Sequence, residues 1–121
     1  MSKILIAEDD KFLSSAYRVK LAKEGFEVKI AENGTDLLEQ LKTYTPDLII
    51  LDLVMPNKDG FEVLKEIKAN DKWKMIPVII ASNLVQKDDI DQGLALGAND
   101  YIVKTDLSLG GLIAKIKTYL K

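Results

Sequence analysis

At 121 residues the chain is long enough for one domain with a core of its own, and nothing in it marks a second. Hydrophobic residues make up 47% and charged ones 30%, with a net charge of -2, the composition of a soluble globular protein without a basic field for nucleic acid or an acidic membrane. There is no cysteine and no histidine, which excludes disulfides, thiol nucleophiles, histidine-based triads, zinc sites and phosphohistidine within this chain and leaves carboxylates, hydroxyls and lysines as reactive groups.

Met1-Ser2-Lys3 runs straight into an apolar strand, with no signal segment and no stretch of membrane-spanning length, so a cytoplasmic location is expected. Lys3-Ile4-Leu5-Ile6-Ala7 reads as that strand, stopping at three successive acids, Glu8-Asp9-Asp10. Over 11–24, Phe12, Leu13, Ala16, Tyr17, Val19 and Leu21 recur mainly at three- and four-residue spacings, which predicts a helix with these residues as its apolar face. Gly25 is a natural stop for it. Phe26-Glu27-Val28-Lys29-Ile30 alternates apolar and polar, as a strand at a sheet edge does.

Asn33-Gly34-Thr35 opens a second helix with Leu37, Leu38, Leu41 and Tyr44 as its stripe, and Pro46 precedes the central strand. That strand, within 47–56, is a nearly continuous apolar run delivering one carboxylate, Asp52, just before Met55-Pro56; such a run suits a strand covered on both faces. After the loop Pro56-Asn57-Lys58 and Asp59-Gly60, Phe61, Leu64 and Ile67 mark a third helix flanked by Val63 and fading at 69–71. Pro77-Val78-Ile79-Ile80-Ala81 is another buried strand, ending at Ser82-Asn83. A short helix over 88–96, closed by Gly97, carries only Ile90, Leu94, Ala95 and Leu96, and this thin content predicts a loosely held element. Tyr101-Ile102-Val103 is the last strand, ending at Lys104, and a final helix over 107–120 carries Leu109, Leu112, Ile113, Ile116 and Leu120.

Strand and helix thus alternate five times, which builds a parallel sheet through right-handed crossovers and predicts a three-layer α/β sandwich. In such a sheet the carboxyl ends share one edge, where ligands bind. That edge gathers Asp9 and Asp10, Asp52, Ser82 and Lys104 from four strands. Each has an ordinary reading, Asp9 or Asp10 as a helix cap, Ser82 as a loop hydroxyl and Lys104 as a solvated side chain. Clustered carboxylates repel by roughly 4 kcal/mol per pair at 4 Å and an effective dielectric of 20, so a cation must offset them. Magnesium, which takes one or two carboxylates plus water and phosphate oxygens, is the natural candidate, with Lys104 as a second positive charge. The ensemble points to a phosphoryl group received by Asp52, with Ser82 donating a hydrogen bond to it.

From Lys3 to the C-terminus the chain resembles the receiver domain of two-component response regulators. The resemblance rests on Glu8-Asp9-Asp10, Asp52-Leu53-Val54-Met55-Pro56 followed by Gly60, Pro77 to Ser82, Gly97-Ala98-Asn99-Asp100-Tyr101, and Lys104. It implies a flavodoxin-like fold, five parallel strands in order 2-1-3-4-5 with five helices, spanning 1–121 as one receiver domain. It implies Asp52 as phosphoacceptor, Asp10 as the direct Mg2+ ligand with Asp9 acting through water, and the Val54 carbonyl as a further ligand. Lys104 matches the lysine that pairs with the acid and then the phosphate, Ser82 the switch hydroxyl, and Tyr101 the aromatic switch residue. The partners implied are a histidine kinase or histidine phosphotransfer protein, met by Lys11, Ser14, Ser15 and Arg18, and a downstream protein target, with no nucleic acid or membrane bound by this domain. Such a protein is no enzyme beyond its own phosphorylation and dephosphorylation.

Four positions depart from the family pattern. Thr105 stands where proline usually follows the lysine in a cis bond, and a cis bond without proline costs about 2.5–4 kcal/mol. Asn83 replaces a small residue after the switch hydroxyl, an expected obstacle to small phosphodonors. Val54 and Leu84 are apolar where some relatives orient an attacking water, which predicts a long-lived phosphoryl group. A flavin- or nucleotide-binding enzyme of like architecture would need a Gly-rich phosphate cradle after the first strand, where this chain has acids. The other alternative is a receiver-like docking module that is never phosphorylated; sequence leaves open whether the chain stands alone and whether it self-associates.

Overall fold

The computed structural model describes residues 2–56, 58–105 and 108–120. The apolar runs form strands and the amphipathic stretches between them helices: β1 (Lys3–Ala7), α1 (Lys11–Lys23), β2 (Glu27–Ala31), α2 (Gly34–Leu41), β3 (Leu48–Leu51), α3 (Gly60–Ala69), β4 (Val78–Ser82), α4 (Lys87–Ala95), β5 (Asp100–Val103) and α5 (Leu109–Tyr119). All pair in parallel, in the order β2-β1-β3-β4-β5. This is the three-layer sandwich the alternation predicts, in the flavodoxin-like strand order the family resemblance implies. Its register sets Ala7 beside Leu51, Leu51 beside Ile80, and Ser82 beside Val103, so the residues that follow emerge along one edge.

Alternation along each strand divides the core in two. Leu5, Ile49, Leu51, Val78 and Ile80 face Leu37 and Leu41 of α2 and Val63, Leu64 and Ile67 of α3. Ile4, Ile6, Leu48, Ile50, Ile79 and Ile102 face Tyr17 and Leu21 of α1 and Leu112, Ile113 and Ile116 of α5. The central β3 is buried throughout, as its unbroken apolar run requires, whereas β2 at the edge alternates exposed and half-buried residues before Ala31.

The helix faces differ from the spacing in two places. Phe12 and Val19, expected on the apolar face of α1, are 89% and 58% exposed; the buried face is Ser14, Tyr17 and Leu21. At about 100° per residue, Val19 lies about 200° round from Tyr17 and Phe12 about 140°. In α3, Val63 belongs to the buried face, while Phe61 is only half-buried.

Asp10, Asn33, Asp59 and Ser108 cap α1, α2, α3 and α5 with side-chain hydrogen bonds, whereas Gln86 gives α4 none. Gly93 is the one buried residue of α4, in keeping with the loose attachment expected of that helix. A β-carbon on Gly93 would stand 2.6 Å from Ile80 Cδ1 and 3.3 Å from the Tyr101 ring, so the glycine sets how closely α4 approaches the sheet. The Lys104–Thr105 bond is trans, no cis peptide occurring among the described residues. The start expected for the last helix at Leu107, and Asn57 of the third loop, lie outside the described residues.

Candidate functional site

Four strand ends meet at one depression of about 410 Å³, lined by Glu8, Asp9, Asp10, Asp52, Val54, Ser82, Asn83, Leu84 and Lys104. Asp52 follows directly on β3 and is held by two groups: Val54 N–H donates to its Oδ1 at 3.2 Å and the Lys104 ammonium to its Oδ2 at 3.0 Å. Behind it, the backbone turns tightly because residue 60 is glycine. A β-carbon there would lie 2.5 Å from Leu53 Cα and 2.6 Å from the Asp52 carbonyl oxygen. Asp52 is only 6% exposed, so its carboxylate is a buried acid that solvent reaches from one side.

Lys104, just beyond β5, spans the site. Its ammonium donates to Glu8 Oε1 at 2.5 Å as well as to Asp52. Burial depresses its affinity for a proton, but the hydrogen bonds and charges of Glu8 and Asp52 together outweigh that and raise its pKa. The lysine is therefore held as a cation between two carboxylates. For Glu8 burial prevails over the lysine, and its pKa is raised.

Ser82, at the end of β4, is fully buried, and its Oγ accepts from Leu84 N–H at 3.3 Å, so the hydroxyl proton is left for another acceptor. Tyr101 lies one strand away; its hydroxyl donates to the Leu84 carbonyl at 2.8 Å. The β4–α4 loop is thereby tied both to Ser82 and to Tyr101. Val54 lines the mouth with its side chain largely exposed.

The acidic turn divides its labour otherwise than the sequence suggests. Oxygens of Glu8, Asp9 and Asp52 lie within 4.8 Å of one another. Asp10, expected as the direct metal ligand, has its Oδ1 engaged at the start of α1, where Phe12 and Leu13 N–H donate to it at 2.9 and 3.1 Å. The capping reading of Asp10 is the one the geometry carries, and Glu8, left out of the expected ligands, joins the cluster. A signal for this was present: a cap two and three residues before the first helical amides needs the last acid of the three, leaving the first two for the strand end. The donors are hard oxygens, two of the three residues buried, around room for water, which fits a small divalent cation such as magnesium.

Outside the cavity, Lys11, Phe12, Ser15, Ala16 and Val19 line an apolar groove along α1. Ser14, grouped with the exposed partner-facing residues from sequence, is buried, its hydroxyl donating to the Lys11 carbonyl at 3.2 Å. Arg18 and Ser15 are exposed as expected. No helix among the described residues is long and apolar enough to cross a membrane.

A family model described as the response regulator receiver domain matches residues 4–117. The transcriptional regulatory protein AfsQ1 of Streptomyces coelicolor is 40% identical over 106 residues, which is 86% of this chain and 45% of that protein, so the chain spans about half its length. Among solved structures, the receiver domain of Francisella response regulator 1452 superposes with a TM-score of 0.90 at 30% identity, covering 98% of this chain and 96% of that one. The Vibrio cholerae chemotaxis protein CheY4 superposes with a TM-score of 0.91 at 26% identity, covering 99% of each.

Proposed function

Since this chain belongs to the response regulator receiver family of two-component systems, we propose that it accepts a phosphoryl group on Asp52 from a histidine kinase or histidine phosphotransfer protein and signals through a changed protein-binding face. The observation that carries this reading is Asp52 itself, a buried carboxylate at an open cavity, paired with Lys104 beside two further acids and a buried serine.

In the proposed transfer an Asp52 oxygen attacks phosphorus, the P–N bond of a phosphohistidine or the P–O bond of an acyl phosphate breaks, and the leaving group keeps that electron pair. A magnesium ion held by Asp9 and Asp52, with Glu8 beside it and the Val54 carbonyl as a further donor, would supply positive charge for the phosphoryl oxygens. Lys104, already on Asp52 Oδ2, needs only a small shift to meet a phosphoryl oxygen, and its raised pKa keeps it cationic while it does so. The Ser82 hydroxyl has its proton to offer to another. Drawing Ser82 toward the phosphoryl group would pull on Leu84, whose carbonyl holds Tyr101, and so on the face made by α4, β5 and α5.

The α1 groove around Phe12, flanked by Lys11 and Arg18, suits the side of a helix carrying the phosphohistidine, with apolar contact beneath and cations at the rim. The protein acts in the cytoplasm, as a binding switch and not as an enzyme on other substrates. Asn83 at the mouth slows small donors, so Asn83→Ala should speed phosphorylation by acetyl phosphate; exchanging Val54 and Leu84 for polar residues should shorten the life of the adduct.

The deciding experiment is intact mass after incubation with magnesium and acetyl phosphate, for the native protein and Asp52→Asn. One phosphate adduct that requires both magnesium and Asp52 supports the reading. Absence of an adduct, together with no beryllofluoride binding, would leave the non-phosphorylated docking module in its place.

A further inference from the structure

The two ends of α4 are finished differently. At the end next to the site, Gln86 gives no side-chain cap, and the loop before it is held at Leu84 by the Ser82 Oγ and the Tyr101 hydroxyl. At the far end the helix closes with a complete backbone cap: Gly97 N–H donates to the Leu94 carbonyl at 3.1 Å and Ala98 N–H to the Gly93 carbonyl at 3.2 Å, with Gly97 at φ +112°. Asn99 then ties this turn to the start of β4 in both directions, its N–H donating to the Val78 carbonyl at 2.8 Å and its Oδ1 accepting from Val78 N–H at 3.0 Å.

Lys68, near the end of α3, lies against the same turn. Its ammonium donates to the carbonyls of Lys74 at 3.2 Å and Ile76 at 3.0 Å, which closes the loop between α3 and β4. Its stem runs beneath Gly97: a β-carbon there would stand 3.0 Å from Lys68 Cγ and 3.3 Å from Cδ. One side chain thus joins α3, the loop before β4 and the turn after α4. The half-buried ammonium is held by backbone carbonyls and not by a carboxylate, and burial lowers its pKa. A lysine serving only as solvated surface would turn its charge outward and keep its water.

Resting on the phosphoacceptor reading above, we propose that Lys68 is a clasp on the turn after α4, so that phosphorylation displaces the helix at its site end alone. A pull passed from Ser82 to Leu84 acts on a first turn that lacks a side-chain cap. The helix itself, buried only at Gly93, resists it weakly. The turn that Lys68, Val78 and Asn99 hold keeps the pull from reaching β5. Val85, exposed at the site end, therefore moves, while Leu96, packed on the core at the other end, stays.

Lys68→Met tests this, because it keeps a stem under Gly97 and removes the ammonium. In the donor-free protein, amide exchange at Gly97, Ala98 and Asn99 should quicken roughly tenfold or more, the size expected for hydrogen bonds to a charged group, with exchange in β3 unchanged. With magnesium and beryllofluoride, the native protein should show shifted backbone amide resonances from Leu84 to Ile90 and unshifted ones from Gly97 to Asn99; in Lys68→Met the shifts should reach Asn99. Native exchange rates at Gly97 and Ala98 in the variant overturn the proposal, as does a native protein whose amides shift equally at both ends of α4. If the variant does not fold, the comparison of the two ends in the native protein still decides it. If the native protein binds no beryllofluoride and takes no phosphoryl group, the phosphoacceptor reading fails, and exchange at Gly97 and Ala98 still decides whether Lys68 is the clasp.

Discussion

Two consecutive units of the sheet, β3 with α3 and β4 with α4, are built from the same plan and held in opposite ways. The helix after β3 sinks Val63, Leu64 and Ile67 into the core and folds back on the strand through Gly60. Its neighbour after β4 buries only Gly93, lacks a side-chain cap at Gln86, and leaves Leu94 largely exposed. The nucleophile candidate, Asp52, stands on the first unit and the switch candidate, Ser82, on the second. A phosphoacceptor needs fixed geometry because a small misplacement slows transfer, whereas an output element must have another place to go. The difference in anchoring lies along the chain within one sheet, without any separate hinge.

The contrast can be broken at its strong side first. Ile67→Ala should cost about 2–5 kcal/mol, the range for truncating a fully buried aliphatic side chain, read as a lowered denaturant midpoint at unchanged slope. Gly60→Ala comes next. Its β-carbon would meet backbone at 2.5–2.6 Å, where no side chain can swing away, so the loop or β3 must shift. Overpacking of this kind costs typically 1–3 kcal/mol, and here the shift falls on Asp52, so phosphorylation should slow by more than the loss of folded protein explains. Stability by denaturant and adduct formation by mass, measured on one sample, separate the two effects. A Gly60→Ala protein phosphorylated at the native rate would show that Asp52 does not depend on this turn.

How far these elements were readable from sequence follows from the same physics. The unbroken run of β3, the alternation of β2 and the thinness of α4 were legible, because burial on two faces, on one, or hardly at all leaves a direct mark on residue type. The acid, serine and lysine at the strand ends were legible once the strands were taken as parallel. The rest depended on angle or on offset by one residue. Phe12 and Val19 are apolar but point away from the sheet, and apolar surface residues are common enough that composition misassigns them. In Glu8-Asp9-Asp10, three carboxylates are chemically alike, and only the α1 amides distinguish the cap from the two acids that cluster with Asp52.

A smaller effect tests the electrostatics of the strong side. Burial raises the pKa of Glu8 in spite of Lys104, so the fold favours its protonated form. A raised carboxylate contributes stability that is complete below the unfolded value of 4.5 and is lost as pH climbs through the folded pKa. Ionised Glu8 is therefore a cost at neutral pH, retained for what it does at the site. Glu8→Gln, which keeps an oxygen for Lys104, should gain stability relative to the native protein between pH 4 and pH 7 while binding magnesium more weakly. A stability difference between the two proteins that does not change with pH would remove the buried charge from the account.

The weak side supplies the smallest change and the sharpest one. Leu94→Ala should alter global stability by less than about 0.5 kcal/mol, as expected for an exposed position, although the residue is as large as those that anchor α3. Gly93→Ala is subtler. The new methyl gains helix propensity, about 1 kcal/mol, but meets Ile80 Cδ1 at 2.6 Å and the Tyr101 ring at 3.3 Å, so α4 must lift or the isoleucine turn. The two effects oppose, and net stability should hardly move. What should move is local: faster amide exchange in α4 and a weakened bond from Tyr101 to the Leu84 carbonyl, seen as a changed tyrosine environment, with β3 and α3 unaffected. If exchange quickens equally in α3, the two helices form one cooperative unit and the separate looseness of α4 is disproved. If it quickens in α4 alone, the helix is coupled to the site through Tyr101 and Leu84 and to the rest of the fold by little else.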